Sequence, residues 1–526
     1  MQRKTFTSVI AILFFFNVVL AAKPSTKKKN KYNILFISVD DLRPELGCYG
    51  NKVIQTPNID RLAQMGMTFT NAHCQVAISA PSRASMMTGL RPDSTHVWHL
   101  EDKFRQTIPS VQTMPQYFHQ FGYYTVSIGK IFHNHMPDSV SFDEPDLRPA
   151  KYRTKDMVDR DAESFYYDDE INKELAQVRE KRLEKNPKAY AGGWAYGRST
   201  ECSEAPDTAF YDGAQTELAL QTIKRIKNKK SPFYLALGYF RPHLPFVAPK
   251  KYWDLYDRDK IPMANNQFLP MNAPVMASHN NGEMRGCYDL EYVKHPAVYR
   301  MNADTAKLLK HGYYASVSYL DACVGRLMQG LQEMNMLDNT IIVLWGDHGW
   351  KLGEHNAWGK HTNYRIDTRA PLIVYAPNAA KNGTKNNALV ELVDVFPTLC
   401  DLSNVPTPNF LQGSSFKLLL NDSVPQWKTA VFSQYHRKPV ESLDNKRYMG
   451  YSMTTSNYHY VEWRYWDYDK KVASKEVVAR ELYDLSTDPD ENINIAIYPE
   501  NQEVVTQLAE QLKGGWRQVK SNLSKH

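Results

Sequence analysis

Five short apolar runs, each closed by turn-forming residues, punctuate the first three-quarters of the chain: "YNILFISV", "YYTVSIG", "PFYLALGY", "NTIIVLWG" and "APLIVYAP". Runs of this length without polar alternation predict strands covered on both faces. Between them the spacing turns helical, in "TPNIDRLAQMG", "TMPQYFHQFG", "TELALQTIKRIKN" and "YYASVSYLDACVGRLMQGLQEMN", with Thr56 and Pro57 marking the first helix start. Strand and helix in alternation predict an α/β fold, a mostly parallel sheet flanked by helices. After Pro425 the pattern becomes hairpin-like, in "RYMGYSMTTSNYHYVEW" and "RELYDLSTDPDEN", and ends on the helical "NQEVVTQLAEQL". This predicts a smaller C-terminal α+β subdomain.

The start of the chain reads differently. Its basic residues, apolar run and small Ala21 and Ala22 fit a cleavable signal peptide over residues 1–22, followed by a basic linker over 23–31. A retained anchor is the alternative; no stable membrane partner is inferred. The main domain is expected over 32–425 and the C-terminal subdomain over 426–526, with residues 145–212, charged and Tyr-rich, as a surface insertion carrying one polar helix. No internal repeat is evident.

Export permits disulfides, yet the six cysteines (Cys48, Cys74, Cys202, Cys287, Cys323 and Cys400) have neither zinc spacing nor a disulfide-framework pattern. A formal charge of +7 on 526 residues mildly favours anionic substrates. It gives no case for a nucleic-acid partner, because no aromatic-basic RNA motif or zinc finger is present.

Chemistry collects where the strands end. "FISVDD" delivers Asp40 and Asp41, "VSIGKIFH" delivers Lys130 and His133, "GYFRPHLPF" delivers His243, and "VLWGDHG" delivers Asp347 and His348. In an open α/β sheet the carboxyl ends share one edge, and ligands bind there. Adjacent carboxylates behind a buried strand call for a compensating cation. The three aspartates offer hard oxygens suited to calcium or magnesium, while His348 is a less usual ligand for either and leaves the ion open. "ISAPSRASMMTG" adds a short helix stopped by Gly89, with Ser79 at its positive end and Arg83 beside it, a setting for an oxyanion or simply an N-cap and a surface arginine.

Taken together, "VDDLRPELGCYG", "SAPSRASMMTG", "IGKIFH", "RPHLPF" and "GDHGWKLGEHNAWGKH" resemble, in order, the signature blocks of the type I, formylglycine-dependent sulfatases, and within them the iduronate-2-sulfatase branch. The resemblance implies the alkaline-phosphatase-like fold, one Ca2+ held by Asp40, Asp41, Ser79, Asp347 and His348, and a nucleophile made by oxidising Ser79 to formylglycine. Ser79 stands where many relatives have cysteine. The serine form resembles bacterial sulfatases matured by a radical S-adenosylmethionine enzyme, which implies a bacterial protein, and with the signal peptide a secreted or periplasmic one.

By the same resemblance Arg83 and Lys130 supply charge for the sulfate oxygens, His133 takes a proton, and His243 and Lys360 protonate the leaving group. Trp98, His99, Trp350, Lys351, Trp358 and His361 are expected to line a sugar site. The implied substrate is a sulfated oligosaccharide, with the 2-O-sulfate of a terminal uronic acid in a glycosaminoglycan fragment first. His361 replaces the branch's tyrosine and "RPDSTHVWHL" also departs from its counterpart, so an algal galactan, fucan or ulvan stays open. Two other functions compete, a phosphodiesterase or phosphonate hydrolase of the same superfamily and a glycan-binding pseudoenzyme with unmodified Ser79.

Overall fold

A computed structural model of the chain describes residues 31–133, 136–149, 166–185, 197–422 and 427–519. The expected signal peptide and all but the last residue of the basic linker lie outside the described residues. Eight strands form the main sheet: Asn33–Val39 (β1), Met67–Phe69 (β2), Tyr124–Gly129 (β3), Glu144–Leu147 (β4), Phe233–Tyr239 (β5), Thr340–Gly346 (β6), Leu372–Tyr375 (β7) and Lys385–Asn386 (β8). Their order across the sheet is β8-β2-β7-β6-β1-β5-β3-β4. The centre is parallel, β1 lying between β5 and β6 with β3 beyond β5.

One predicted strand runs against the rest. β7 is antiparallel to both β6 and β2. The chain leaves β6 at the carboxyl edge, stays there through residues 347–371, and therefore enters β7 from that same edge.

β1 explains why its sequence reads as an unbroken apolar run. Leu35, Ile37 and Val39 face a core shared with Ile59 and Leu62, whereas Ile34 and Phe36 face a second core with Met86, Met87, Met114 and Phe118. The helices between are Pro57–Met65 (α1), Ser79–Thr88 (α2), Met114–Gln120 (α3), Asp169–Lys185 (α4), Tyr211–Ile226 (α5) and Ala303–Glu333 (α6). α6 starts ten residues before the apolar spacing that predicts it, capped by the Asn302 side chain on the Thr305 N–H. At Gly312 a Cβ would sit 2.9 Å from Phe246 Cβ, so the glycine is what lets the helix pack closely.

Within the expected insertion, residues 145–147 extend edge strand β4 and α4 buries only Ile171 and Leu175. The C-terminal sheet is an antiparallel meander of Ala430–Arg437 (β9), Tyr448–Thr455 (β10) and Tyr458–Asp467 (β11), with Ala479–Asp484 (β12) on the far side of β11. Gln502–Gly514 (α7) covers one face through Val505 and Leu508. The sheet docks through a buried charge cluster in which Glu391 receives Arg91 and Lys428, each at 2.7 Å. All six cysteines are free.

Candidate active site

Four strand ends do converge. The Asp40 N–H bonds to Tyr239 O, Lys130 N–H to Gly238 O and Asp347 N–H to Val39 O, at 3.0–3.2 Å, so the parallel ladder continues into the residues that carry the chemistry. Gly238 is required there, since a Cβ would lie 2.0 Å from Lys130 O.

α2 brings the serine to this edge. Its N-cap is Ile78, so Ser79 occupies the first helical position and its hydroxyl is released from capping. Ser79 Oγ instead lies 3.1 Å from Asp40 Oδ1 and 3.2 Å from His348 Nε2. Gly89 ends the helix at φ 67°, a left-handed stop. Arg83, one turn on and on the same face, is fully buried. Its Nε donates to Asp347 Oδ2 at 2.9 Å, Nη2 to Asp40 Oδ1 at 3.2 Å and Nη1 to Ser38 Oγ at 3.1 Å. The guanidinium is thus spent on clamping the acidic residues, and the surface-arginine alternative falls away.

The charges are paired around a shared centre. Lys130 Nζ lies 2.5 Å from Asp40 Oδ2, and Lys360 Nζ lies 2.7 Å from Asp41 Oδ1 and 2.9 Å from Glu283 Oε1, above the Trp350 ring. Burial alone would raise the Asp40 pKa, but Lys130, His243 and Arg83 hold it well below the ordinary range. Burial wins at Asp41, which is pushed up to about 6 against the pull of His243 and Lys360, with Glu283 and Asp40 adding to the rise. Burial acts against the Lys360 charge, and Asp41 and Glu283 more than restore it. His243 donates from Nδ1 to Leu244 O at 2.7 Å while Nε2 faces Glu283 Oε1 at 2.9 Å. With an acceptor at each ring nitrogen, both carry protons.

The residues fit a divalent cation. Ligand atoms of Asp41, Asp347 and His348 lie within 4.8 Å of one another, as do those of Asp40, Asp41 and His243. His348 Nδ1 lies 2.9 Å from Gly349 O and donates to it, which leaves the Nε2 lone pair facing Asp41 and Asp347 at 3.6 and 3.5 Å. Three buried carboxylates and one imidazole lone pair make a hard, anionic cradle.

The expected sugar-lining residues separate into two groups. Trp98 is packed against Met449 and Trp466, Trp350 is fully buried beneath Lys360, and Trp358 belongs to the main core. Lys351 is buried in an ion pair with Asp367. None of these four offers a free face or charge to a sugar; apolar and ionic packing within the fold claims them first. His361 and His99 differ. His361 sits beside Lys360 at φ 84° with its ring 4.4 Å from that of His279, and His99 meets His436 of β9. His133 is half-buried and shares a cavity with Ala80, Ala84 and Phe132 beside the first turn of α2. Sequence reasoning missed Glu283, whose carboxylate holds both Lys360 and His243. It lies in an irregular stretch with no periodic signal.

A mostly parallel α/β sheet whose carboxyl edge holds an acidic cradle against a helix-borne serine is the setting of the alkaline-phosphatase-like fold, and the family match makes the chain a sulfuric ester hydrolase. The sulfatase family model matches residues 32–405, a second model, for the C-terminal part of N-sulphoglucosamine sulphohydrolase, matches 353–518, and the chain belongs to the sulfatase family. It is 32% identical over 526 residues to iduronate 2-sulfatase of Homo sapiens, covering 88% of this chain and 90% of that protein. It is likewise 32% identical over 486 residues to a sulfatase of Formosa agariphila, covering 90% and 85%. A solved structure in complex with its substrate D-glucosamine-2-N,6-O-disulfate matches with a TM-score of 0.68 at 22% identity, over 93% of this chain and 99% of that one.

Proposed function

We propose that this sulfatase is exported, carries formylglycine at position 79, and removes the 2-O-sulfate of a terminal uronic acid in glycosaminoglycan fragments. The observation that carries the substrate is the similarity to iduronate 2-sulfatase, which runs through 88% of the chain and so takes in both the catalytic sheet and the C-terminal sheet. The domain limits at 31, 425 and 526 belong to the same reading. So do the roles below.

Asp40, Asp41, Asp347, His348 and residue 79 would hold one calcium ion, which would supply Lewis-acid polarisation of the sulfate ester. Formylglycine at residue 79, as its hydrate, would supply a hydroxyl nucleophile and a second hydroxyl through which sulfate could leave without water attacking sulfur. Arg83 is a positioning residue that helps keep Asp40 ionised and orients Asp347. Lys130, charged and fixed on Asp40, presents its remaining donors to sulfate oxygens. His243 holds a proton on Nε2 for the leaving sugar oxygen, and Lys360 keeps its own proton and charge beside it. His133 accepts the proton released at residue 79. A radical S-adenosylmethionine enzyme is the expected maturation partner.

The test has two readouts. Mass spectrometry of the peptide containing residue 79 from native protein should show the loss of two hydrogens relative to serine. The matured enzyme should release sulfate from 2-O-sulfated uronate disaccharides faster than from 4-O- or 6-O-sulfated ones or from sulfated galactose and fucose. Release confined to the neutral sugars defeats the uronate reading and leaves the sulfatase standing; fully active protein with unmodified serine defeats the formylglycine reading.

A further inference from the structure

A second cavity, of about 200 Å³, opens between Arg43 behind β1, the loop at Glu354–His355, the short helix that runs into Arg369, and residues 489–491 of the C-terminal part. Its chemistry differs from that of the catalytic centre. Arg43 is fully engaged, by Glu45 at 3.0 Å, Glu354 at 2.9 Å and Trp350 O at 3.1 Å. The other two arginines are not. The Arg369 guanidinium makes no hydrogen bond or ion pair among the described residues, and its Nε is buried without a partner. Among the described residues the Arg365 side chain reaches only Pro489 O, at 3.4 Å, and its Nε too is buried and unpartnered. Burial and then Arg365 and Arg43 press against the Arg369 charge, with Tyr49 acting the other way.

Buried polar nitrogens are as a rule paired, and here each half-buried guanidinium lines the cavity with its Nε out of reach of solvent and without a partner. The nearby carboxylates give neither guanidinium a hydrogen bond, and Glu491 acts on Arg365 through its charge alone. Glu354 is held by Arg43 and the Leu352 N–H, Glu491 by His459 at 2.6 Å and the Arg365 N–H at 2.8 Å, and Asp490 is exposed.

Besides Glu491 Oε1, which faces His459, the same cavity has two buried neutral acceptors to spare. His355, 3% exposed, has Nε2 at 2.9 Å from Asp490 O; that nitrogen must carry the ring proton, so the unpartnered Nδ1 is a lone pair. Asn266, 5% exposed, donates its amide to Asn492 Oδ1 at 3.0 Å, which orients the unpartnered Oδ1. Cationic donors beside neutral acceptors suit a ligand that has both negative oxygens and a proton to give.

We infer that this cavity is a second ligand site, for a small oxyanion bearing a hydroxyl: Arg365 and Arg369 take the anionic oxygens, and His355 Nδ1 or Asn266 Oδ1 accepts the hydroxyl proton. Hydrogenphosphate and a uronate monosaccharide share that chemistry, whereas sulfate has only the anionic half. The inference is independent of the substrate proposed above. Because residues 489–491 close one wall, occupancy ties the C-terminal part to the catalytic sheet.

The experiment is calorimetric titration of the full chain with sodium phosphate, sodium glucuronate and sodium sulfate at fixed ionic strength, using Lys130→Ala to weaken the catalytic site. Saturable binding of phosphate, glucuronate or both should persist in Lys130→Ala, and should weaken at least tenfold when Arg369→Gln is added. Arg365→Gln is the second variant, read the same way should Arg369→Gln not fold. Phosphate alone identifies an inorganic ion, and glucuronate alone a sugar acid. Sulfate bound as tightly as either, affinity unchanged in both arginine variants, or no binding at all overturns the inference.

Discussion

Glu283 Oε1 lies 2.9 Å from Lys360 Nζ and at the same distance from His243 Nε2, so one carboxylate oxygen holds both the proposed proton donor, His243, and the cation beside it. Burial would raise its pKa, but Lys360 and His243 keep it well below the ordinary range and ionised. Glu283→Gln is expected to lower kcat on a sugar sulfate by about 10²-fold, the scale of general-acid contributions. An aryl sulfate, whose leaving group needs no proton, should lose far less. Equal losses on the two substrates would reduce Glu283 to a structural role.

The cradle of Asp40, Asp41, Asp347 and His348 should make stability depend on metal. Calcium added to chelated protein should raise Tm, and at a hundred times its Kd a ligand of the folded state stabilises by about 2.7 kcal/mol. Asp347→Asn should remove most of that shift and abolish turnover while far-ultraviolet circular dichroism stays native. Chelated protein that keeps full activity would exclude a catalytic ion.

The three aspartates were legible because each directly follows an apolar run long enough to be a buried strand, and the sheet then gathers their ends without any long-range knowledge. Ser79 and Arg83 were legible as a pair on one helix face, although the identity of the N-cap was not. Glu283 was invisible for the opposite reason. It lies in a segment without period, and only tertiary contact with residues forty and seventy-seven positions away gives it meaning. Trp98 and Trp350 fail differently: an aromatic in a signature block reads the same whether its face is open to a ligand or packed, as both are here. Lys351 and Lys360, nine residues apart and both buried, look alike in sequence, yet Asp367 claims one and the catalytic carboxylates the other.

Glu354 gives a pH dependence with a definite sign. Burial would raise its pKa, but Arg43 at 2.9 Å outweighs this and lowers it from an ordinary 4.5 to about 2. A carboxylate depressed in the folded state contributes stability that is complete above the unfolded value and is lost as pH falls through the folded one. Its side chain is 12% exposed, so the contribution is of the order of 3 kcal/mol. Urea unfolding should show Glu354→Gln markedly less stable than the parent at pH 7, with the gap narrowing towards pH 2. A gap that is constant across that range would assign the loss to packing instead.

His361 is the sharpest test of the substrate. Burial is the first cause that lowers its pKa well below the ordinary histidine value, opposed by Glu283 and reinforced by Lys360, so the ring is neutral. A uronate carboxylate would therefore meet it as a hydrogen-bond donor, with the charge supplied by Lys360 next to it. A hydrogen bond to a charged partner is worth about 1.5–3 kcal/mol, which predicts a fall of about 10- to 100-fold in kcat/KM on uronate substrates. The replacement has to respect the backbone: at φ 84° alanine is strained, whereas asparagine tolerates the left-handed region. His361→Asn should thus cut activity on 2-O-sulfated uronate disaccharides and spare neutral sulfated sugars, while Lys360→Ala should impair both, since Lys360 serves the leaving oxygen as well as the carboxylate. If His361→Asn lowers both classes equally, the ring positions Lys360 rather than reading the sugar, and carboxylate recognition must be sought across the site at His99 and His436.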